Sequence, residues 1–228
     1  DNNMLISIEG TDSSGKQTQA KMLYDYFLEK GMNVRQISFP DYKSDSSALV
    51  KMYLNGDFGK EPGDVSAQVA SIFFACDRFA SFRTSWKKYY DQGDIIISDR
   101  YTSSNIINQA SKIENYDERL KFIDWIENME YSVFVIPEPD ITIFLNMPYE
   151  KSLELMKNRN NKISGEKSKD IHESNRDYLK KSYENAVDIC NRLSWNKIDC
   201  VGSDGNIKTP EAIHEEIAKT VEGIMHEI

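Results

Sequence analysis

Residues 10–18, Gly10-Thr11-Asp12-Ser13-Ser14-Gly15-Lys16-Gln17-Thr18, follow the apolar run Met4-Leu5-Ile6-Ser7-Ile8. They precede a segment, 16–30, in which Ala20, Leu23, Tyr24, Phe27 and Leu28 recur at helical spacing before Gly31. The order is strand, small-residue loop, helix. A turn of this kind leaves several backbone N–H groups converging on one concavity, and the helix N-terminus adds positive potential there. It therefore constrains the chain to an α/β arrangement with a polyphosphate at the loop, and Lys16 reaches the terminal phosphates. In the strict form of this motif, a Ser or Thr directly after the lysine meets Mg²⁺. Here that place holds Gln17, and Thr18 lies about 100° further around the helix, so it does not take over. Gln17 offers an amide oxygen, to the metal or to a metal-bound water.

The rest of the chain fits one such domain. Strand signals at 34–39, 94–98, 141–145 and 197–201 alternate with helical patterns at 46–54, 64–90, 102–111, 117–130, 149–159, 171–193 and 209–228. Five strands with intervening helices predict a five-stranded parallel sheet flanked by helices on both faces, with ligands beyond the carboxyl ends of the strands. A chain of 228 residues supports a single domain, 4–228. Asp1-Asn2-Asn3 is read as a cloning remnant before a native start at Met4, with no leader. The one compositional break is the polar, basic stretch 158–169.

The net charge of −9 argues against general affinity for nucleic acid or an anionic membrane, and no apolar run approaches the ~20 residues of a bilayer span. Cys76, Cys190 and Cys200 lack metal-ligand spacing and suit a reduced, cytoplasmic setting. Ile95-Ile96-Ile97-Ser98-Asp99 is an apolar strand ending in a carboxylate suited to hold Mg²⁺ or its waters beside phosphates. Arg100 follows at once, and a guanidinium fork is the favoured partner of a phosphate dianion.

These residues, in this order, resemble the thymidylate kinases, nucleoside monophosphate kinases built on a phosphate loop. Glu9-Gly10-Thr11-Asp12 with Gly15-Lys16-Gln17-Thr18-Gln19 is similar to the family's EG-x-D-x-x-GK-x-TQ loop. Phe39-Pro40 is similar to its FP motif, Phe74-Ala75-Cys76-Asp77-Arg78 to its F-x-x-x-R helix, and Asp99-Arg100-Tyr101 to its DR-[YFH] motif. Asp170-Ile171-His172-Glu173 is similar to the acidic motif after the lid. The resemblance implies ATP- and Mg²⁺-dependent phosphorylation of dTMP to dTDP in a cytoplasmic homodimer. It implies that Gly10, Ser13, Ser14, Gly15, Lys16, Gln17 and Thr18 hold ATP, with Lys16, Asp99 and Arg100 catalytic and Asp99 and Gln17 toward the metal.

On the acceptor side it implies that Asp12 takes the 3′-hydroxyl, Tyr42 and Arg100 the phosphate, and Phe74 stacks on thymine while Arg78 approaches O4. Asn105, beside Ser104, meets the N3 and O4 edge with an amide that both accepts and donates, and Phe39 completes the wall. Phe74 and Arg78, four apart on a helix, share a face. Basic residues of a short lid over about 158–170, Arg159, Lys162, Lys167 and Lys169, would neutralise the moving phosphoryl group. Asn108 stands where relatives usually carry an aromatic residue. His172, a lone helical histidine, is read as solvated. Two other readings stay open: a related kinase acting on another monophosphate or a deoxynucleoside, and a non-catalytic nucleotide-binding regulator.

Overall fold

The computed structural model describes residues 3–162 and 170–227, and the backbone alone at 159–162. Strand β1 (Met4–Gly10) leads through the loop into α1 (Lys16–Glu29) and then β2 (Val34–Ser38). Helices α2 (Ala48–Leu54), α3 (Ala67–Ser81) and α4 (Lys87–Asp91) precede β3 (Ile95–Asp99). Then come α5 (Thr102–Ser104), α6 (Tyr116–Glu127), β4 (Ile141–Asn146) and α7 (Tyr149–Lys162). The chain closes with α8 (Ile171–Ser174), α9 (Arg176–Arg192), β5 (Asn196–Asp199) and α10 (Pro210–Met225).

The five strands run parallel, as the alternating pattern predicts, and lie in the order β2-β3-β1-β4-β5. β1 is central and buried along its whole length. Successive side chains of a strand point to opposite faces. Accordingly, Ile6 and Ile8 pack with Leu23 and Phe27 of α1 and Ile217 of α10, while Leu5 packs with Ile96, Phe82, Trp86 and Tyr101 on the other face. Ile8 lies in register with Asp99, so the loop after β1 and the Asp99-Arg100 turn after β3 leave the sheet side by side. That adjacency positions the site.

The helices depart from the predicted spans in five places. Helical periodicity tolerates an inserted residue, and π segments interrupt or extend the expected runs at Phe82–Trp86, Asn105–Gln109 and Asn128–Val133. The run expected over 171–193 divides at Asn175, whose backbone is extended and whose side-chain oxygen accepts from the Tyr178 N–H at 2.9 Å, an N-cap that starts α9. The lid stretch expected from residue 158 begins as helix, because α7 continues to Lys162. Among the described residues, no helix is long and apolar enough to cross a membrane, and the three cysteines are unpaired.

Candidate active site

A cleft of about 840 Å³ opens at the carboxyl edge of β1, β2 and β3. At one end is the phosphate loop. A Cβ on Gly10 would lie 2.5 Å from Ser14 Oγ, so only glycine lets the loop fold back on the strand end, and Gly15 caps α1 in the left-handed region at φ 92°. Asp12, Ser13, Gly15, Lys16, Gln17 and Thr18 line the cleft, whereas Ser14 is buried beneath it. Gln17 and Thr18 are exposed at the start of α1. Among the described residues, the hydroxyls of Thr11, Ser13 and Ser14 and one oxygen of Asp99 are buried without a hydrogen-bond partner. Buried polar atoms are nearly always paired, so such a cluster points to a polar guest.

Lys16 Nζ donates to the carbonyls of Gly10 (2.9 Å) and Thr11 (2.8 Å), folded back along the loop. Burial, with the Arg100 charge beside it, lowers its ammonium pKa to about 8. Burial raises the pKa of the Asp99 carboxyl. Arg100 adopts a left-handed backbone, φ 65°, pinned by its N–H donating to Ile8 O (3.0 Å) and by its carbonyl accepting from Ser98 Oγ. That turn swings the guanidinium over the loop, where Nη2 donates to Asp12 Oδ1 at 2.6 Å. Burial opposes charge on Asp12, but Arg100 and Lys16 outweigh it and hold the carboxyl at about 2. The negative charge of an aspartate in the anion-binding loop is thus already balanced by Arg100.

At the other end, Phe74 and Arg78 reach the cleft from α3, as their spacing requires, beside Asn105 and Asn108. Phe74 is half-buried and stands edge-on to Tyr53. Phe39 is buried against Tyr101, and Tyr42 is exposed at the rim of the cleft. Ser104 lines the cleft, and its hydroxyl donates to Glu9 Oε2 (2.7 Å). One expectation for hydrogen bonding, that for Asn105, is corrected. Asn105 was expected both to accept and to donate. Its Nδ2 instead donates to Ser71 O (3.2 Å) and Glu130 Oε2 (3.4 Å), which leaves Oδ1 to accept.

His172 also departs from expectation, since it is buried and lines the cleft. Lys112 Nζ donates to Tyr53 Oη (2.9 Å), and Tyr53 Oη and His172 Nε2 share a hydrogen bond at 2.8 Å. Burial, with Lys112 nearby, pushes the His172 pKa down to about 3. Asp170 lines the same wall and caps α8 by accepting from Glu173 N, and burial raises its carboxyl to about 6.

Three organising carboxylates escaped the sequence reading. Glu9 is buried and accepts from Gly10 N, Ser103 Oγ and Ser104 Oγ, joining the phosphate loop to α5. Asp77 accepts from Asp41 N (2.8 Å) and Ser46 Oγ (2.7 Å), joining α3 to the loop that carries Tyr42. Glu130 holds Arg78 in a fully buried ion pair. The remaining candidates, Lys167 and Lys169 and the side chains of Arg159 and Lys162, lie outside the described residues.

The thymidylate kinase family model matches residues 8–204. The chain is 28% identical to a probable thymidylate kinase of Thermococcus onnurineus, over 96% of this chain and 97% of that protein. It is 30% identical to the thymidylate kinase of Mycobacterium tuberculosis, over 68% and 72%. Its fold is similar to that of the solved thymidylate kinase of Candida albicans, at a TM-score of 0.71 and 26% identity over 97% of this chain and 92% of that one.

Proposed function

The chain belongs to the thymidylate kinase family, and from that premise we propose how its residues transfer the γ-phosphoryl group of ATP to the 5′-phosphate of dTMP, giving ADP and dTDP. The observation that carries the reading is the two-ended cleft: unsatisfied buried hydroxyls and Lys16 at one end, Phe74 with Arg78 and Asn105 at the other, and Arg100 between. The loop N–H groups and the hydroxyls of Ser13 and Ser14 hold the ATP phosphates, and Lys16 exchanges its carbonyl partners for phosphate oxygens. Thymine stacks on Phe74. Arg100 and Tyr42 hold the acceptor phosphate, with Asp12 taking the sugar hydroxyl.

The nucleophile is an oxygen that is already anionic, so no strong general base is needed. Alignment and neutralisation carry the rate, through Lys16, Arg100 and the basic residues of the lid. Mg²⁺ fits this donor set. Asp99 has a buried oxygen without a partner, and no group of three or more His, Cys, Asp or Glu gathers among the described residues as a closed cage. Such a set suits an ion held by one carboxylate, directly or through water, and by substrate phosphates, with the Gln17 amide beside them. When bound, the ion neutralises phosphate charge.

A homodimer is supported by the apolar outer face of α3, where Val69, Ile72 and Phe79 are exposed. The three unpaired cysteines support a reducing, cytoplasmic setting.

The test is ADP release with a panel of acceptors. The expected result is that dTMP exceeds dCMP, dGMP and AMP by roughly a hundredfold or more in kcat/KM, the scale reached by sites that hydrogen-bond their substrate. Equal use of dCMP would overturn the thymine assignment, and turnover of thymidine would overturn the phosphate acceptor. Binding of both nucleotides without ADP release would make the protein a nucleotide-binding regulator.

A further inference from the structure

Glu130 is wholly buried, and its carboxylate gathers the two side chains assigned to the base. Arg78 donates to it from Nε and from Nη2 (2.9 Å to Oε2), in the paired geometry that a guanidinium makes with an ionised carboxylate. Asn105 donates to it from Nδ2, and the same nitrogen donates to Ser71 O. A carboxylate and a carbonyl can only accept, so chemistry alone requires the nitrogen of the Asn105 amide to face them. Both amide hydrogens are then used, and Oδ1 is the polar atom left for the cleft. Arg78 keeps further N–H donors and also lines the cleft.

We propose that Glu130 is a specificity-determining positioning residue: by anchoring Arg78 as a donor and fixing Asn105 as an acceptor, it makes the acceptor subsite select 4-oxo pyrimidines over 4-amino pyrimidines. Thymine and uracil offer a carbonyl at position 4 to Arg78 and an N3–H to Asn105 Oδ1. Cytosine offers an amino group and a lone pair at those places. It would set donor against donor and acceptor against acceptor, and a buried site charges heavily for such mismatches. The methyl group plays no part in this selection, so dUMP shares it. A free Asn105 would rotate its amide and accommodate either base; Glu130 and Ser71 prevent that.

The inference rests on the dTMP reading above, and the experiment separates the two. The Kd of dTMP, dUMP and dCMP is measured by calorimetry for the wild-type protein and for Glu130→Gln and Glu130→Asp. Glutamine has a single acceptor oxygen, so whichever way its amide turns, an N–H is set against at least one of the Arg78 and Asn105 donors. Aspartate keeps the charge beside Arg78 but withdraws it from Asn105, which gives a second chance of a folded variant. The expected result is a dCMP-to-dTMP Kd ratio that falls roughly tenfold or more in a folded variant, through weaker dTMP and unpenalised dCMP, with kcat for dTMP changed less than its KM.

A folded variant that keeps the wild-type ratio overturns the role of Glu130 and leaves the dTMP reading intact. A wild-type protein with no preference for dTMP over dCMP overturns both. If neither variant folds, the wild-type side-chain amide protons of Asn105 decide, assigned by their absence in Asn105→Leu. Slow exchange with solvent supports the fixed orientation, and rapid exchange overturns it.

Discussion

At the phosphate-loop end of the cleft, Thr11, Ser13, Ser14 and Asp99 each keep a buried oxygen without a partner among the described residues, whereas at the base end Arg78, Glu130, Asn105 and the Ser71 carbonyl bind one another. The difference follows from what each end must recognise. A polyphosphate is all acceptor and strongly charged, so the loop is best left with hydroxyl donors to spare, each costing about 1–3 kcal/mol until the ligand arrives, and the Asp99 oxygen free to accept from a cation or its waters. A neutral base is told from its analogues by the direction of two hydrogen bonds, so that end must be rigid before the ligand comes. The loop end stores unsatisfied oxygens where the charge will sit; the base end holds its recognition groups still, although Ser71 Oγ and Gln109 Oε1 also lack a partner among the described residues.

The largest expected effect therefore lies in stability, at the base end. Arg78→Ala leaves Glu130 as an unpaired charge in a fully buried position, and breaking such a pair costs about 3–5 kcal/mol. Ser13→Ala removes a buried oxygen that lacks a partner among the described residues and is expected to leave the nucleotide-free protein no less stable than wild type, with a gain of up to about 1–3 kcal/mol. Urea denaturation of the two variants measures the contrast directly. An Arg78→Ala protein as stable as wild type would break it, since the base end would then not be held by this pair.

Arg100→Ala sharpens the comparison from between the two ends. Its pair with Asp12 remains about a quarter exposed, so stability is expected to change by no more than about 1 kcal/mol. Its loss as a phosphate ligand removes a charge-assisted contact of about 1.5–3 kcal/mol, roughly ten- to a hundredfold in kcat/KM. Thermal unfolding and steady-state kinetics on the same preparation separate these. A variant that loses stability but keeps wild-type efficiency would move Arg100 out of the site and into the scaffold.

The phosphate-loop end was more legible in the sequence than the base end. Gly10, Gly15, Lys16 and Asp99-Arg100 announce themselves because loop and strand end are contiguous segments, in which backbone geometry forces the residue type. The parallel sheet was legible for the same reason, through runs such as Ile95-Ile96-Ile97 that must be buried on both faces. Glu130 lies 52 residues from Arg78 and sits near Glu127 in a charged helical pattern, so nothing local marks it as the buried one. The burial of His172 depends on Tyr53, brought in from the distant α2, as well as on Tyr178 in the helix that follows, so its own segment does not announce it. Asp77 lay inside a motif that was quoted, yet its bonds to Asp41 and Ser46 exist only once α3 packs on the loop after β2. Partnerships across the fold carry no periodicity, and the base end is made of them.

The smallest expected effect is a proton, and it tests whether the loop end waits for its ligand. In the nucleotide-free protein, burial and the nearby Arg100 bring the Lys16 ammonium down to about 8 from an ordinary value of 10.5. Between those two values the unfolded chain binds more protons than the folded one, so the contribution of Lys16 to stability rises with pH across that window and is least favourable below it. ATP phosphates at the loop reverse the balance by favouring the charged form. ATP binding near pH 8 should then take up as much as about half a proton. Calorimetry in two buffers of different ionisation enthalpy reads that uptake, and Lys16→Arg, always charged, should abolish it. Full proton uptake by the arginine variant would assign the proton to another group. No uptake in either protein would mean that Lys16 is already fully charged against the carbonyls of Gly10 and Thr11, and that the loop end, like the base end, is satisfied before its ligand arrives.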